Sequence, residues 1–191
     1  FTFGENAEVT ADRAVATGKS ARAHLYGSNA LASGEFTQGD ESSGVGSAQV
    51  INAVISNKIT RDNTEPYTDV ELFLDGEGGS ERLVVPDNTM WNWQITLVGY
   101  MPDNASETQE RYFEGVILND GTELKSSAGY SNVAHRVFGT GSYSANAYGT
   151  AINFGSTIAY AKFEIDDALK AMRVYMQQHS GVADLWAVGD V

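Results

Sequence analysis

Cysteine is absent from the 191-residue sequence, proline occurs three times, and only 12 Lys and Arg stand against 25 Asp and Glu. Without cysteine there is no disulfide, no thiol nucleophile and no Cys-ligated metal, and the compartment is left open. A formal net charge of −13 leaves no basic stripe to track phosphates, which argues against nucleic acid as a partner. No apolar run approaches the ~20 residues of a membrane helix, so no membrane insertion is expected. A basic stretch followed by an apolar one is also missing, so no signal peptide is visible. What the chain does have is small and polar. Gly, Ser, Thr and Asn make up about a third of it, with 42% hydrophobic and 19% charged residues. The length suits one domain, or one domain plus an extension. Phe1 is not an initiator Met and Leu185 to Val191 still reads as strand, so both ends are expected to be cut from a longer polypeptide.

Residues 14 to 48 are dominated by Ala, Gly and Ser, and Ala16-Thr17-Gly18 is echoed by Ala32-Ser33-Gly34. Large apolar side chains are few: Val15, Leu25, Tyr26, Leu31, Phe36 and Val45. Ala and Gly remove little apolar area from water, so no self-contained core is expected here. The segment reads either as a flexible linker or as a fibrous element whose backbones pack closely around a shared axis. The division adopted is residues 1–48, a fibrous small-residue repeat segment, and 49–191, a C-terminal β-sandwich domain.

From residue 49 the pattern has period two. Ile51, Ala53 and Ile55 alternate with Asn52, Val54 and Ser56; Val70, Leu72 and Leu74 alternate with Glu71, Phe73 and Asp75. Trp91, Trp93, Ile95 and Leu97 share one face of the clearest strand, with Asn92, Gln94 and Thr96 opposite. Tyr112 to Leu118 runs into Asn119-Asp120-Gly121, a hairpin signal. Ala159, Ala161, Phe163 and Ile165 form another inward face, and Val182 to Val188, with Trp186, gives a last strand. Residues 165–176 fit a helical stripe or a hairpin turning at Asp166-Asp167; the hairpin is preferred because everything around it is β. The expected fold is all-β, an antiparallel sandwich, with Trp91, Trp93, Ile95, Leu97 and Trp186 in its core.

The sequence carries none of the familiar motifs of catalysis or cofactor binding. His24, His135 and His179 lack zinc-ligand spacing, and no metal or cofactor is expected. There is no nucleophile elbow and no phosphate loop; Gly139-Thr140-Gly141-Ser142 lacks the following Lys. A glycosidase pair would draw on Asp69, Glu71, Asp103, Glu107, Glu110, Glu114, Asp166 and Asp167, but nothing in their spacing makes two of them converge. Asp75 to Glu81 lacks the alternating oxygen ligands of a calcium loop and reads as a turn. No catalytic residue is assigned.

Residues 128 to 156 place aromatic rings among Ser, Asn and Gly, with Arg136 the one fixed charge. Rings beside small polar groups suit recognition, because they give contact area at low entropic cost. Tyr130, Arg136, Phe138, Tyr143 and Tyr148 are the candidate receptor-binding residues. The competing reading is that these rings face a core or a subunit interface.

The order of features from Val70 onward resembles the C-terminal domains of bacteriophage tail fibres and tail spikes. It runs from Leu72-Phe73-Leu74-Asp75-Gly76 through Leu83-Val84-Val85-Pro86 and the Trp91 to Val98 strand. It then continues through Tyr112 to Gly115 and ends at Leu185-Trp186-Ala187-Val188. The upstream Gly/Ala/Ser segment is similar to the small-residue repeats of phage fibres and of trimeric bacterial adhesin heads. The resemblance implies a non-enzymatic homotrimer in a virion tail, extracellular during infection. Its partners would be itself, other tail proteins and a host-surface glycan or protein, and it would serve attachment and fibre assembly. The alternatives it leaves are the accessory or trimerisation end of a glycan-degrading tail spike, and a bacterial trimeric adhesin head.

Overall fold

The computed structural model describes residues 1–34, 45–46, 48–59, 67–100, 108–126, 134–136, 150–154, 157–179 and 185–191, for part of these the backbone alone. The described residues are all-β, with no helix, and divide into two compact units. The first holds residues 1–54 and Val191, the second residues 55–190.

The first unit is made of β1 (Thr2–Phe3), β2 (Glu8–Val9), β3 (Val15–Lys19), β4 (Arg22–Ala23), β5 (Asn29–Ser33) and β6 (Gln49–Asn52). β1, β3 and β5 pair in parallel, as do β2 and β4. Thr2 lies opposite Ala16 and Ala16 opposite Ala30, while Glu8 lies opposite Arg22. Each step is 14 residues, so the chain winds in rungs. The backbone repeats with the same step: φ is positive at Gly4 and Gly18, at Asn6 and Ser20, and at Arg13 and Gly27. The echo at 16–18 and 32–34 is therefore not the structural repeat, because Gly18 lies opposite Ala32.

The side chains follow from this stacking. Ala14, Ala16, Ala21, Ala23 and Ala30 are buried as one cluster, with Ala7, Val9, Ala11, Ala32 and Ile51 packed against it. The described alanines of residues 14–34 thus share a small core with Ala7, Val9, Ala11 and Ile51 rather than building one by themselves. Rungs of paired strands leave an interior too narrow for large side chains, and ladder hydrogen bonds hold what alanine burial alone would not. A Cβ on Gly4 would overlap the carbonyl oxygen of Gly18, and one on Gly18 that of Ala32. The glycines are needed at both places. β6, which the sequence division assigned to the second domain, pairs antiparallel with β5 and closes this sheet.

The outer face of the same sheet is the reverse of the inner. Phe3, Thr17, Leu31 and Val50 are register partners across β1, β3, β5 and β6. The neighbouring register row is Thr2, Ala16, Ala30 and Ile51, in which Ala16 and Ala30 are fully buried, whereas Phe3, Leu31 and Val50 are exposed.

The second unit begins at β7 (Val54–Ile59) and β8 (Tyr67–Leu72), followed by β9 (Leu83–Val84), β10 (Thr89–Tyr100), β11 (Thr108–Asn119), β12 (Leu124–Ser126) and β13 (Ala134–Arg136). It ends with β14 (Thr150–Phe154), β15 (Thr157–Asp166), β16 (Ala171–His179) and β17 (Leu185–Asp190). One sheet has the order β12-β11-β10-β17-β7, with β13 also on β11; the other has β14-β15-β16-β8, with β9 on β16. The pairings of known register are antiparallel. The sheets meet where Trp93 of β10 stacks on Phe163 of β15, ring centroids 5.4 Å apart at 30°.

Residues 165–176 form a hairpin, with the turn at 167–170. Along β10, Trp93, Ile95 and Leu97 are buried, Trp91 is half-buried, and Asn92 and Gln94 are exposed. Among the described residues, Ile95, Leu97, Ile117, Met176, Leu83, Val85 and Ile55 are the largest fully buried side chains. Trp93 lies across from Gly115 on β11, where a Cβ would come 2.7 Å from the indole. A glycine there lets the ring lie flat on the neighbouring strand. Ile165, placed by alternation on the inward face, is 41% exposed, since it sits next to the turn where the strand end meets solvent. The last strand covers Leu185–Asp190 and so runs past residue 188; residues 180–184 lie outside the described residues, as does the Trp186 side chain.

Candidate functional site

The densest polar constellation among the described residues lies on the sheet formed by β8 and β16. Glu71 is on the face opposite Leu72, and its register partner is Tyr175. Alternation read Glu71 as a solvent-facing strand residue, yet it is only 8% exposed. Two arginines cover it. Arg82 donates from Nε to Oε1 at 2.8 Å and from Nη2 to Oε2 at 3.2 Å. Arg173 donates from Nε to Oε1 at 2.9 Å and from Nη2 to Oε2 at 2.6 Å. Each guanidinium also lies over an aromatic ring, Arg82 over Phe73 at 5.0 Å and Arg173 over Tyr175 at 5.1 Å. Asp166 completes the set at 3.5 Å from Arg173 Nη1.

Burial alone would push the Glu71 carboxyl up, but hydrogen bonds from Arg173 and Arg82, with their charges, outweigh it and hold the carboxyl below its ordinary value. The same pairing pushes Arg173 up, mainly through its hydrogen bond to Glu71. A carboxylate with both oxygens in two bidentate clamps has no free lone pair aimed at a substrate. The arrangement ties residues 71, 82 and 173 together; it is suited to holding strands, not to moving protons.

Other acids are similarly engaged. Asp75 accepts from the backbone N–H groups of Ser80 (3.0 and 3.1 Å) and Glu81 (3.0 Å), which closes the turn read from Asp75 to Gly79. Asp120 accepts from Lys125 Nζ at 2.6 Å, from the Thr122 hydroxyl at 2.6 Å, and from the Thr122 and Glu123 N–H groups, each at 2.9 Å. Lys125 first, then Thr122, hold its carboxyl far below the usual range. Asp167 accepts from Lys170 Nζ at 2.8 Å and from Leu124 N–H at 2.7 Å, and Lys170 also donates to the Thr122 carbonyl at 2.6 Å. The β11–β12 and β15–β16 turns are thereby tied to one another.

Among the glycosidase candidates, Glu71 and Asp166 come together, but on Arg173 rather than across an open cleft. Asp103 and Glu107 lie outside the described residues, as do the side chains of Glu110 and Glu114. Among the described residues no three of His, Asp and Glu gather as a metal-holding set.

Of the candidate receptor-binding residues, Arg136 lies on β13, paired through its backbone with Tyr112 of β11. Tyr130, Phe138, Tyr143 and Tyr148 lie outside the described residues. Two features were missed by reading the sequence. Arg82 and Arg173 are 11 and 102 residues from Glu71, and no local spacing links them. The outward row Phe3, Leu31 and Val50 could have been found only from the 14-residue step that links Phe3 to Leu31 and the antiparallel β5–β6 register that adds Val50. No protein-family profile matches the chain, and neither a curated protein nor a solved structure matches it.

Proposed function

We propose that this chain is a non-enzymatic component of a phage tail fibre, a homotrimer serving host-surface attachment and fibre assembly. One observation carries the reading: the motifs that resemble tail-fibre C-terminal domains fall, in chain order, on β8, β9, β10, β11 and β17 of one unit whose described residues are all-β. Leu72 to Gly76 runs from the end of β8 into its turn, Leu83 to Pro86 covers β9, Trp91 to Val98 lies in β10, Tyr112 to Gly115 in β11 and Leu185 to Val188 in β17. The non-enzymatic part is supported by the engagement of Glu71, Asp75, Asp120 and Asp167 in hydrogen bonds that shape turns and sheets. Recognition is assigned to the aromatic, nearly uncharged stretch from Tyr130 to Phe154, where three weak sites on one trimer would act together through high effective concentration.

The test is binding of the labelled, purified protein to a panel of intact bacterial cells, with mass by light scattering. The reading expects a three-chain particle that binds some strains and releases no reducing ends from their polysaccharide. A monomer that binds none overturns it; sugar release overturns its non-enzymatic part. The regular rungs of the first unit favour a second reading, the head of a bacterial trimeric adhesin, whose small-residue repeats the segment resembles. Under that reading the trimer binds animal cells or matrix and ignores bacterial surfaces.

A further inference from the structure

The first unit leaves both of its described phenylalanines and the aliphatic side chains of Leu31 and Val50 in water. Its buried cluster is alanine, with Val9 and Ile51 packed against it, while Phe3 is 69% exposed, Val50 61% and Leu31 44%, all in one row across the outer face of the sheet. Phe1, two residues before Phe3, is 77% exposed. With ~200 Å² per phenylalanine and somewhat less per aliphatic residue, these four leave on the order of 500 Å² in water. That is at the upper end of the roughly 300–600 Å² patch of an ordinary monomer, and over half of the about 800 Å² that each partner buries in a stable complex.

We infer that this outer face is the seat of a second copy of the same chain. The inference rests on the trimeric reading above and names the surface that it requires. Charge selects the occupant. Each copy carries a net −13, so most ways of bringing two copies together set acid against acid. The strand positions on this face are Phe3, Val15, Thr17, Asn29, Leu31, Ser33, Val50 and Asn52, with Lys19 as the one charge. Glu5 already balances Lys19 at 3.7 Å. A basic partner would be drawn to the acidic surfaces; a second acidic chain is best accommodated where neither copy carries charge. Burial of the row would also give the alanine-cored rungs the large apolar contact that their interior cannot hold.

The test compares the wild-type chain with the Leu31→Glu/Val50→Glu variant by light scattering, with circular dichroism to check the fold. The wild type is expected at about three times the 20.5 kDa of one chain. The variant is expected at the single-chain mass, its self-association at least tenfold weaker. Met90→Glu, at a 69% exposed site of the second unit, should leave the mass unchanged. Should the double variant fail to fold, Val50→Cys decides, since the natural chain has no other thiol. Its maleimide labelling should be at least tenfold slower than that of Met90→Cys in the assembled protein. An oligomer that survives the double variant, or that labels at Val50→Cys as fast as at Met90→Cys, overturns this surface and leaves the trimer standing. A wild-type monomer overturns both.

Discussion

At the scale of single residues, the structure turns on places where one atom more or fewer cannot be absorbed. Gly18 has φ +99° and faces the Ala32 carbonyl so closely that a Cβ would overlap it. A left-handed φ costs about 1–2 kcal/mol for a residue with a Cβ, and the overlap with backbone about 1–3 kcal/mol more. Gly18→Ala should thus lower stability by roughly 3 kcal/mol in chemical denaturation. Gly27 also has a left-handed φ, +65°, but open space around it, so Gly27→Ala should cost only about 1 kcal/mol. Equal losses would mean that the rungs are not in the contact described. Glu71 gives a prediction in pH. Glu71→Gln leaves two guanidiniums facing a neutral amide, and removing one partner of a buried cluster costs about 3 kcal/mol at the low end of the usual range. Because the carboxyl lies below its ordinary value in the folded state, its stabilisation is complete above about pH 4.5 and is lost as pH falls from there through the folded value. The gap in urea midpoint between wild type and Glu71→Gln should be constant from pH 7 to 5 and narrow below 4.5. A gap that stays constant down to pH 3 would exclude a charge-based role.

At the scale of elements, alternation along β10 governs how the two sheets of the second unit meet. Trp93 is 8% exposed, stacked on Phe163 and flat against Gly115, while Asn92 is exposed. Trp93→Ala should destabilise by about 3–5 kcal/mol and Asn92→Ala by no more than about 0.5 kcal/mol, read from denaturant midpoints. Equal effects would mean that the facing is wrong. The same comparison explains what was legible in the sequence. Period two in β10, the Asn119-Asp120-Gly121 signal and the Asp75 to Gly79 turn are local, and each was readable because hydrophobic patterning and turn chemistry act within a few residues. The rungs were not readable. Their inward positions are alanines that also fill linkers, their outward positions mix apolar and polar residues, and only a parallel register over 14 residues shows which is which. Ile165 misled for a related reason: alternation gives the side of a strand, not how far along it the cover extends. The Glu71 clamp was hidden because Arg173 comes from the far end of the chain, and an acid in an alternating strand normally reads as solvated.

At the scale of the whole molecule, charge and apolar surface act against each other, and their balance can be read from salt. In the proposed trimer, three copies of a chain with net charge −13 would repel one another over distances set by the ionic atmosphere. That distance is about 30 Å at 0.01 M salt and about 8 Å at 0.15 M. The surface assigned to self-association carries the Lys19–Glu5 pair and otherwise apolar or neutral side chains, so screening removes repulsion without removing attraction. Association should therefore tighten severalfold between 0.01 M and 0.15 M NaCl and change little beyond. Sulfate should strengthen it again, because excluded salts favour apolar burial. Salt is a cleaner lever than acid here. Lowering the pH towards the isoelectric point near 4.4 would also reduce repulsion, but it approaches the ordinary carboxyl range, below which the stability contributed by Glu71, Asp75, Asp120 and Asp167, all held below their ordinary values, starts to fall. Sedimentation equilibrium across the salt series at pH 7 separates the two effects. Association that weakens steadily as NaCl rises would mean that ion pairs hold the copies together, and the neutral outer face of the first unit would not be the contact.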